Sequence, residues 1–290
     1  MNELRETRST CSYCGVGCGV IITERAGKIV SVRGDKEHPA NLGMLCSKGR
    51  ELHETVHLPN RLLRPMLRAD KNSLRNPIEW NDAFALAAKK IQEAISSRGP
   101  DSVGFYISGQ LLTEDYYVFN KLAKGFVGTN NVDSNSRLCV SSAVVAYKKA
   151  FGVDGPPTSY SDIDEADLFF IAGSNTAWCH PIVFRRIEKA WEADPSKKLI
   201  VLDPRKSATA RVADIHVQLR PGSDLVFITA LLAELHRRGQ TKAEYIEAYT
   251  ENFEALATTF PQYTIERVEA ECGVSRELFL QVLNTWQDSH

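Results

Sequence analysis

The sequence predicts an α/β protein with a small, β-rich N-terminal region that carries most of its cysteines. Three observations lead there. Cys11, Cys14, Cys18 and Cys46 crowd the first 46 residues among closely spaced glycines. From about residue 80, short apolar runs alternate with stretches of helical periodicity, which is the signature of parallel βαβ units. Several of those apolar runs end in turns that carry glycine or aspartate, where α/β sheets bind ligands.

Taken in order, residues 20–23 (VIIT) and 28–33 (KIVSVR) read as two strands joined through Arg25, Ala26 and Gly27 in a small hairpin. GDKEHPANLG is loop, CSKGRELHETVH turns into a short helix, and LPNRLLRPMLR reads as a linker. WNDAFALAAKKIQEAISSRG has apolar residues at helical spacing and a terminal glycine, so it reads as an amphipathic helix with its stop signal. VGFYIS (103–108) is a short strand, LLTEDYYVFNKLAKGF is helical, NNVDS is a strand end and LCVSSAVVAYKKAFG is a helix. Strands over DLFFIAG (167–173), KLIVLDPR (198–205) and HVQLRPG (216–222) alternate with helices over PIVFRRIEKAWEAD and DLVFITALLAELHRRG. The last 50 residues are mostly helical. These units are Rossmann-like, with helices on both faces, and are expected to be incomplete at the C-terminus.

At 290 residues the chain is long enough for about two domains, expected at 1–60 and 61–290. Hydrophobic content of 43% is ordinary for a globular core. The net charge of −1, without a long basic run, removes the signature of a nucleic-acid binder. No apolar run approaches the ~20 residues of a membrane span, and the charged N-terminus lacks the apolar stretch of a secretory signal. Cytoplasmic localisation is the expectation. In a reducing cytoplasm clustered cysteines read first as metal ligands, and an odd total of seven argues against a simple disulfide framework.

The pattern C-x2-C-x3-C-x27-C places three ligands on one tight loop and a fourth far away. Structural zinc sites usually pair two separate short hooks. The 3+1 arrangement suits a cubane gripped at three corners by a loop, and four cysteine thiolates are the standard ligands of [4Fe–4S]. Gly15, Gly17 and Gly19 interleave the ligands and let the backbone approach inorganic sulfide. A zinc knuckle is the alternative.

CSYCGVGCGV, followed by GMLCSKGRELHETVHLPNRLLRPMLR, resembles the N-terminus of the molybdopterin oxidoreductases that carry a molybdenum bis-(molybdopterin guanine dinucleotide) cofactor. The resemblance covers essentially the whole chain. Through NSRLCVSSAVVAYKKAFGVDGPP and AGSNTAWCHPIVFRR it is closest to assimilatory nitrate reductase catalytic subunits. It implies that Cys139, in the loop before a helix, supplies the protein ligand to molybdenum. Soft sulfur suits that metal, and a helix N-terminus stabilises a thiolate. It implies further that Lys48 lies between the cluster and the nearer pterin and couples them electronically, and that Gln110 and Asn135 contact the pterin.

The nucleotide arms of such a cofactor need anchors, and three strand ends offer them. Gly173, Ser174 and Asn175 follow the first strand of the second half. Asp203 and Arg205 end the next, where the carboxylate can hold ribose or base N–H groups and the guanidinium can pair with phosphate. Gly222 and Asp224 end the third, with the carboxylate able to accept from guanine. No G-x-G-x-x-G fingerprint of a nicotinamide site is present. His180, directly before Pro181, reads as a capping or core residue, and Cys179 and Cys272 as structural.

The implied reaction is molybdenum-dependent reduction of nitrate to nitrite for nitrate assimilation, with electrons entering through the cluster. Ferredoxin, flavodoxin or an NADH-linked flavoprotein would each serve as donor. Formate dehydrogenases of the same superfamily usually place a histidine after the metal-ligating residue; here that residue is Val140. A non-catalytic iron–sulfur electron-transfer subunit is the rival outside enzymes, and Cys139 with three strand-end anchors counts against it. Catalytic subunits of this family are much longer than 290 residues. The chain therefore resembles an N-terminal portion, expected to bind the cluster without turning over alone.

Overall fold

The computed structural model describes residues 3–289. The chain divides into two compact units, Met1–Pro157 and Thr158–His290. The expected boundary at residue 60 falls inside the first unit.

In that unit β1 (Leu4–Thr10), β2 (Gly19–Arg25) and β3 (Lys28–Gly34) form an antiparallel sheet in the order β1-β2-β3. The β2–β3 hairpin turns on Ala26 and Gly27, with φ of 51° and 78°, the left-handed pair that a two-residue hairpin with native twist demands. β2 buries Val20 and Ile21 and β3 buries Val32, which is the half-buried pattern their sequences show. β1 was not expected as a strand. Every residue of LRETRST is exposed, so an edge strand wet on both faces carries no hydrophobic alternation to detect. Its antiparallel ladder to β2, from Leu4 opposite Arg25 to Thr10 opposite Gly19, holds it in place, with ion pairs of Arg33 to Glu6 at 2.9 Å and Arg8 to Asp35 at 3.5 Å beside it.

Asn41, 1% exposed, ties the loop after β3 back onto the sheet. Its Oδ1 accepts from the Gly19 N–H at 2.8 Å, while Nδ2 donates to the carbonyls of Gly19 (3.1 Å) and Met44 (2.7 Å). One buried amide thus satisfies backbone groups beside Cys18 and two residues before Cys46.

The chain continues through α1 (Ser47–Arg50) and a 3₁₀ turn, Leu52–Thr55. Where a linker was expected, β4 (Met66–Leu67) and β5 (Asn76–Pro77) make a minimal antiparallel pair. α2 (Trp80–Arg98) ends on Gly99, as its stop signal predicts. β6 (Phe105–Ile107) pairs in parallel with β7 (Val132–Ser134), bracketing α3 (Thr113–Asn120) and a π-helical extension, Lys121–Val127. α4 (Asn135–Cys139) and α5 (Ser141–Phe151) follow.

The second unit opens with α6 (Tyr160–Glu165) and is built on a three-stranded parallel sheet. Its strands are β8 (Leu168–Ala172), β9 (Lys198–Leu202) and β10 (Ile215–Val217), in the order β10-β9-β8. α7 (Thr176–Cys179) and α8 (Pro181–Ala193) connect the first pair of strands, and α9 (Ala208–Val212) the second. α10 (Asp224–Arg237), α11 (Ala243–Tyr249), α12 (Phe253–Ala257), α13 (Ile265–Arg267) and α14 (Arg276–Gln287) complete it.

KLIVL is apolar without alternation because β9 is the central strand, buried on both faces. Leu199 and Val201 pack with Phe169 of β8, Ile187 of α8 and Ala210 of α9. Ile200 and Leu202 pack on the other side with Phe227 of α10 and Phe279 and Val282 of α14. Phe227 and Phe279 meet edge to face, with ring centroids 5.4 Å apart. Among the described residues, no helix is long and apolar enough to cross a membrane.

Two outcomes follow from this packing. Phe279→Ala removes a ring with 0% exposure from the larger core and is expected to cost about 3–5 kcal/mol, measured by urea unfolding. Asn41→Ala strands the Gly19 N–H and the Met44 carbonyl, while the Gly19 carbonyl keeps its bond from the Asp35 N–H, at roughly 1–3 kcal/mol for each group left buried and unpaired. Thermal unfolding should show the loss, and a melting temperature equal to that of the unsubstituted chain would refute it.

Candidate cofactor site

The cysteine loop is closed by its own backbone. Cys11 N–H donates to the Cys18 carbonyl at 2.9 Å, Gly17 N–H to the Cys14 carbonyl at 3.2 Å, and Gly17 has φ of 62°. Cys46 joins from the start of α1. Gly49 on that helix is buried against the loop, and a Cβ there would lie 3.7 Å from Cys11 Sγ.

Cys11 and Cys18 are buried; Cys14 and Cys46 are half-buried. Burial pushes the Cys18 thiol up to about 11, reinforced by the neighbouring Cys11, Cys14 and Cys46. Burial raises the Cys11 thiol as well, and the nearby Cys46 and Cys14 add to it. A backbone hydrogen bond at Tyr13 and the charge of Lys48 pull it back down. The four sulfurs therefore sit close enough to repel one another once ionised, which is the condition a cationic group relieves. A tetrahedral zinc would need all four sulfurs ~2.3 Å from one point, whereas a cluster offers each thiolate its own iron. The donor set fits [4Fe–4S].

Lys48, on α1, is exposed. Gln110 is exposed as well, on the turn after β6. That turn joins the cysteine loop to the α4 region through contacts the sequence did not reveal. A Cβ on Gly15 would lie 3.5 Å from the Leu111 carbonyl oxygen. Gly109 N–H donates to Asn135 Oδ1 at 2.6 Å, and a Cβ on Gly109 would sit 2.5 Å from Ser136 Oγ, so a side chain there would displace Ser136. Asn135 starts α4 and Cys139 ends it. The first unit thus places the cysteine loop, Gln110, Asn135 and Cys139 on successive, touching segments.

Cys139 differs from its expected setting. It ends a five-residue helix instead of lying in a loop, although α5 begins two residues later, as expected. Its thiol is exposed, with Sγ 3.6 Å from the Ser136 carbonyl.

In the second unit the three predicted turns follow the C-terminal ends of three adjacent parallel strands. Gly173, with φ of 63°, leaves β8 and donates its N–H to the Leu202 carbonyl at 2.9 Å. Ser174 and Asn175 are half-buried. Asn175 Oδ1 accepts from the hydroxyl of fully buried Thr209 at 3.0 Å, and the Thr209 hydroxyl accepts from Ala177 N–H at 3.0 Å. Thr209 thereby fastens the turn after β8 to α9.

Asp203 leaves β9, and its Oδ1 accepts from Arg205 N–H at 2.8 Å, which leaves the second carboxylate oxygen outside that bond. Arg205 is exposed. From β10, His216 Nε2 lies 2.9 Å from the Asp203 carbonyl, and Gln218 Nε2 donates to the Pro204 carbonyl at 3.0 Å. Gly222, with φ of 82°, precedes Asp224 in the first turn of α10. Buried Cys272 supports that turn: its Sγ lies 3.4 Å from the Ser223 carbonyl, and its own carbonyl accepts from Arg220 N–H at 2.8 Å. This fits the structural reading of Cys272. His180 is the residue ahead of Pro181 at the start of α8, and with Cys179 it is exposed.

Comparison with known proteins gives the family. Residues 4–58 match the molybdopterin oxidoreductase Fe4S4 domain and residues 61–241 match the molybdopterin oxidoreductase family. The chain is 44% identical over 274 residues to a nitrate reductase of Klebsiella oxytoca, covering 94% of this chain and 30% of that protein. It is 39% identical over 279 residues to the F420-dependent formate dehydrogenase 1 subunit alpha of Methanococcus maripaludis, covering 96% of this chain and 40% of that protein. It therefore spans well under half the length of these relatives. The acetylene hydratase of Pelobacter acetylenicus shares the fold, with a TM-score of 0.78 at 22% identity over 95% of this chain and 38% of that one. With most of its length matched across both regions, the chain belongs to the molybdopterin oxidoreductases and carries their Fe4S4 domain.

Proposed function

We propose that this chain serves the reduction of nitrate to nitrite in an assimilatory enzyme, as the part that admits electrons and holds one side of the molybdenum cofactor. The observation that carries the reading is the residue after Cys139. Val140 is apolar and offers no group to take a proton from formate, whereas nitrate needs its oxygen removed and no proton abstracted. The 44% identity to a nitrate reductase supports it. A formate dehydrogenase is the second reading, favoured by the 39% identity to an enzyme of that name.

Cys11, Cys14, Cys18 and Cys46 would hold a [4Fe–4S] cluster as thiolates, and Cys139 would give its thiolate to the molybdenum of a bis-(molybdopterin guanine dinucleotide). When bound, these groups supply one-electron transfer and two-electron oxygen-atom chemistry. Lys48 sets a positive charge beside the cluster cysteines and on the way to the pterin. Gln110 and Asn135 would contact the pterin, with Asn135 oriented by its bond to Gly109. Gly173, Ser174, Asn175, Asp203, Arg205, Gly222 and Asp224 would receive nucleotide. Arg205 can pair with phosphate. Asp203 and Asp224 can accept from ribose or guanine.

Metal analysis of the whole enzyme, with nitrate and formate each tested against a viologen couple, decides between the two readings. Nitrate reduction is expected; formate oxidation without it overturns the assignment. Cys139→Ala should abolish turnover and leave the cluster's EPR signal intact, and an unaffected rate would remove Cys139 from the metal. In the cluster-free chain the raised Cys18 thiol stays protonated at neutral pH. Alkylation requires thiolate, so its labelling should climb roughly tenfold per pH unit until the raised pKa is reached. Pulsed labelling read by mass spectrometry should find exposed Cys139 and Cys179 modified first, and equal labelling of Cys18 and Cys139 at pH 8 would contradict the buried cradle.

A further inference from the structure

An asparagine at the start of a helix ordinarily turns its side-chain oxygen back to cap that helix. Asn175 stands at that position ahead of α7, yet its side chain makes no bond to α7. Its oxygen goes elsewhere. Oδ1 accepts from the hydroxyl of Thr209 at 3.0 Å and from the Thr209 N–H at 3.3 Å.

Thr209 is 0% exposed and lies 34 residues further along the chain. Its N–H belongs to the first turn of α9, among the donors that a helix start leaves without an internal partner. The next such donor, Ala210 N–H, is taken by Ser207 Oγ at 3.3 Å. Asn175 therefore caps α9 from a different connection. Thr209 Oγ1 returns the bond by accepting from Ala177 N–H at 3.0 Å.

These partners decide which way the amide faces. The oxygen and nitrogen of an asparagine side chain are alike in shape and are told apart by what they bond. The Thr209 N–H can only donate, so the atom it meets must be the oxygen. A flipped amide would set two N–H groups against each other beside a fully buried residue, leaving both unpaired. Nδ2 consequently lies on the other side. Among the described residues it has no hydrogen-bond partner and is not buried.

The neighbouring strand end has the opposite character. Asp203 commits Oδ1 to Arg205 N–H at 2.8 Å and keeps Oδ2 to accept. The bond from Gly173 N–H to the Leu202 carbonyl, 2.9 Å, ties the two strand ends together. β8 thus leads into a donor and β9 into an acceptor.

We propose that Thr209 is a positioning residue that commits Asn175 to donate. The turn after β8 then takes an acceptor oxygen of the nucleotide, on its phosphates or its nucleoside, and refuses a donor. The inference rests on the reading that this turn receives nucleotide. Thr209 itself touches no ligand, because it is fully buried. Its hydroxyl and N–H hold the amide in place before a ligand arrives, which removes the cost of ordering it on binding. A polar group fixed in this way discriminates strongly, since a ligand atom of the wrong polarity leaves both groups unpaired.

The test uses the whole enzyme free of cofactor, with GDP and guanosine as probes and isothermal titration as the readout. Asn175→Asp keeps an oxygen facing Thr209 and replaces the outward donor by an acceptor. It should weaken GDP binding about tenfold or more and leave the melting temperature unchanged. Guanosine gives the source of the oxygen: a loss with both probes places it on the nucleoside, and a loss with GDP alone places it on the phosphates. Thr209→Val removes the hydroxyl at similar shape and should weaken GDP binding severalfold. Thr209→Ser restores the hydroxyl and should recover the affinity. GDP bound equally well by Asn175→Asp overturns the donor role, because a residue that merely anchors α9 gives that result. A Thr209→Val loss that serine fails to recover overturns the positioning role, as does no loss at all. In each of those cases the unsubstituted enzyme still binds GDP, and the nucleotide reading of the turn stands. An unsubstituted enzyme that binds neither probe refutes that reading and this assignment with it.

Discussion

The cysteine cradle depends on Asn41. A loop that brings thiols together inside a small sheet also brings buried backbone groups together, and each needs a partner. Asn41 provides three bonds from one side chain, reaching Gly19 beside Cys18 and Met44 ahead of Cys46. The distant fourth cysteine is thereby fixed relative to the first three before any metal arrives. Burial raises Cys11 and Cys18 in the same stroke, so the cradle is stable as thiols and releases protons when it takes up a cluster.

The second unit solves a different problem with similar means. A parallel strand buried on both faces leaves no room for ligand chemistry along its length, so the chemistry moves to the turns beyond its end. Those turns are braced from neighbouring elements: Thr209 holds Asn175, His216 and Gln218 hold the backbone of Asp203 and Pro204, and Cys272 supports Ser223. Each brace engages a backbone group or a side-chain oxygen pointing into the protein and leaves other polar atoms of the turn unengaged.

Much of the fold was legible because its elements carry strong local signals. The hairpin's Gly27 and the stop at Gly99 each follow from glycine meeting a left-handed backbone position, and the unbroken apolar run of β9 from burial on both faces. β1 was not legible, since a strand exposed on both faces has no hydrophobic alternation and is held by its backbone ladder to β2. The short β4–β5 pair was hidden for a related reason, because two residues per strand carry no period.

The sequence by itself determined the inventory of candidate groups: four cysteines at 3+1 spacing, a separate Cys139 followed by Val140, and three strand ends bearing Gly, Asp and Arg. Residue type and spacing settle which chemistry is available, because thiolate, carboxylate and guanidinium have fixed affinities. Only the tertiary structure decided how those groups are held. Asn41, Leu111, Ser136 and Thr209 are unremarkable in the sequence and act through contacts 3 to 96 residues away. Hydrogen bonding and close packing select partners by position in space, and spacing along the chain does not report that position.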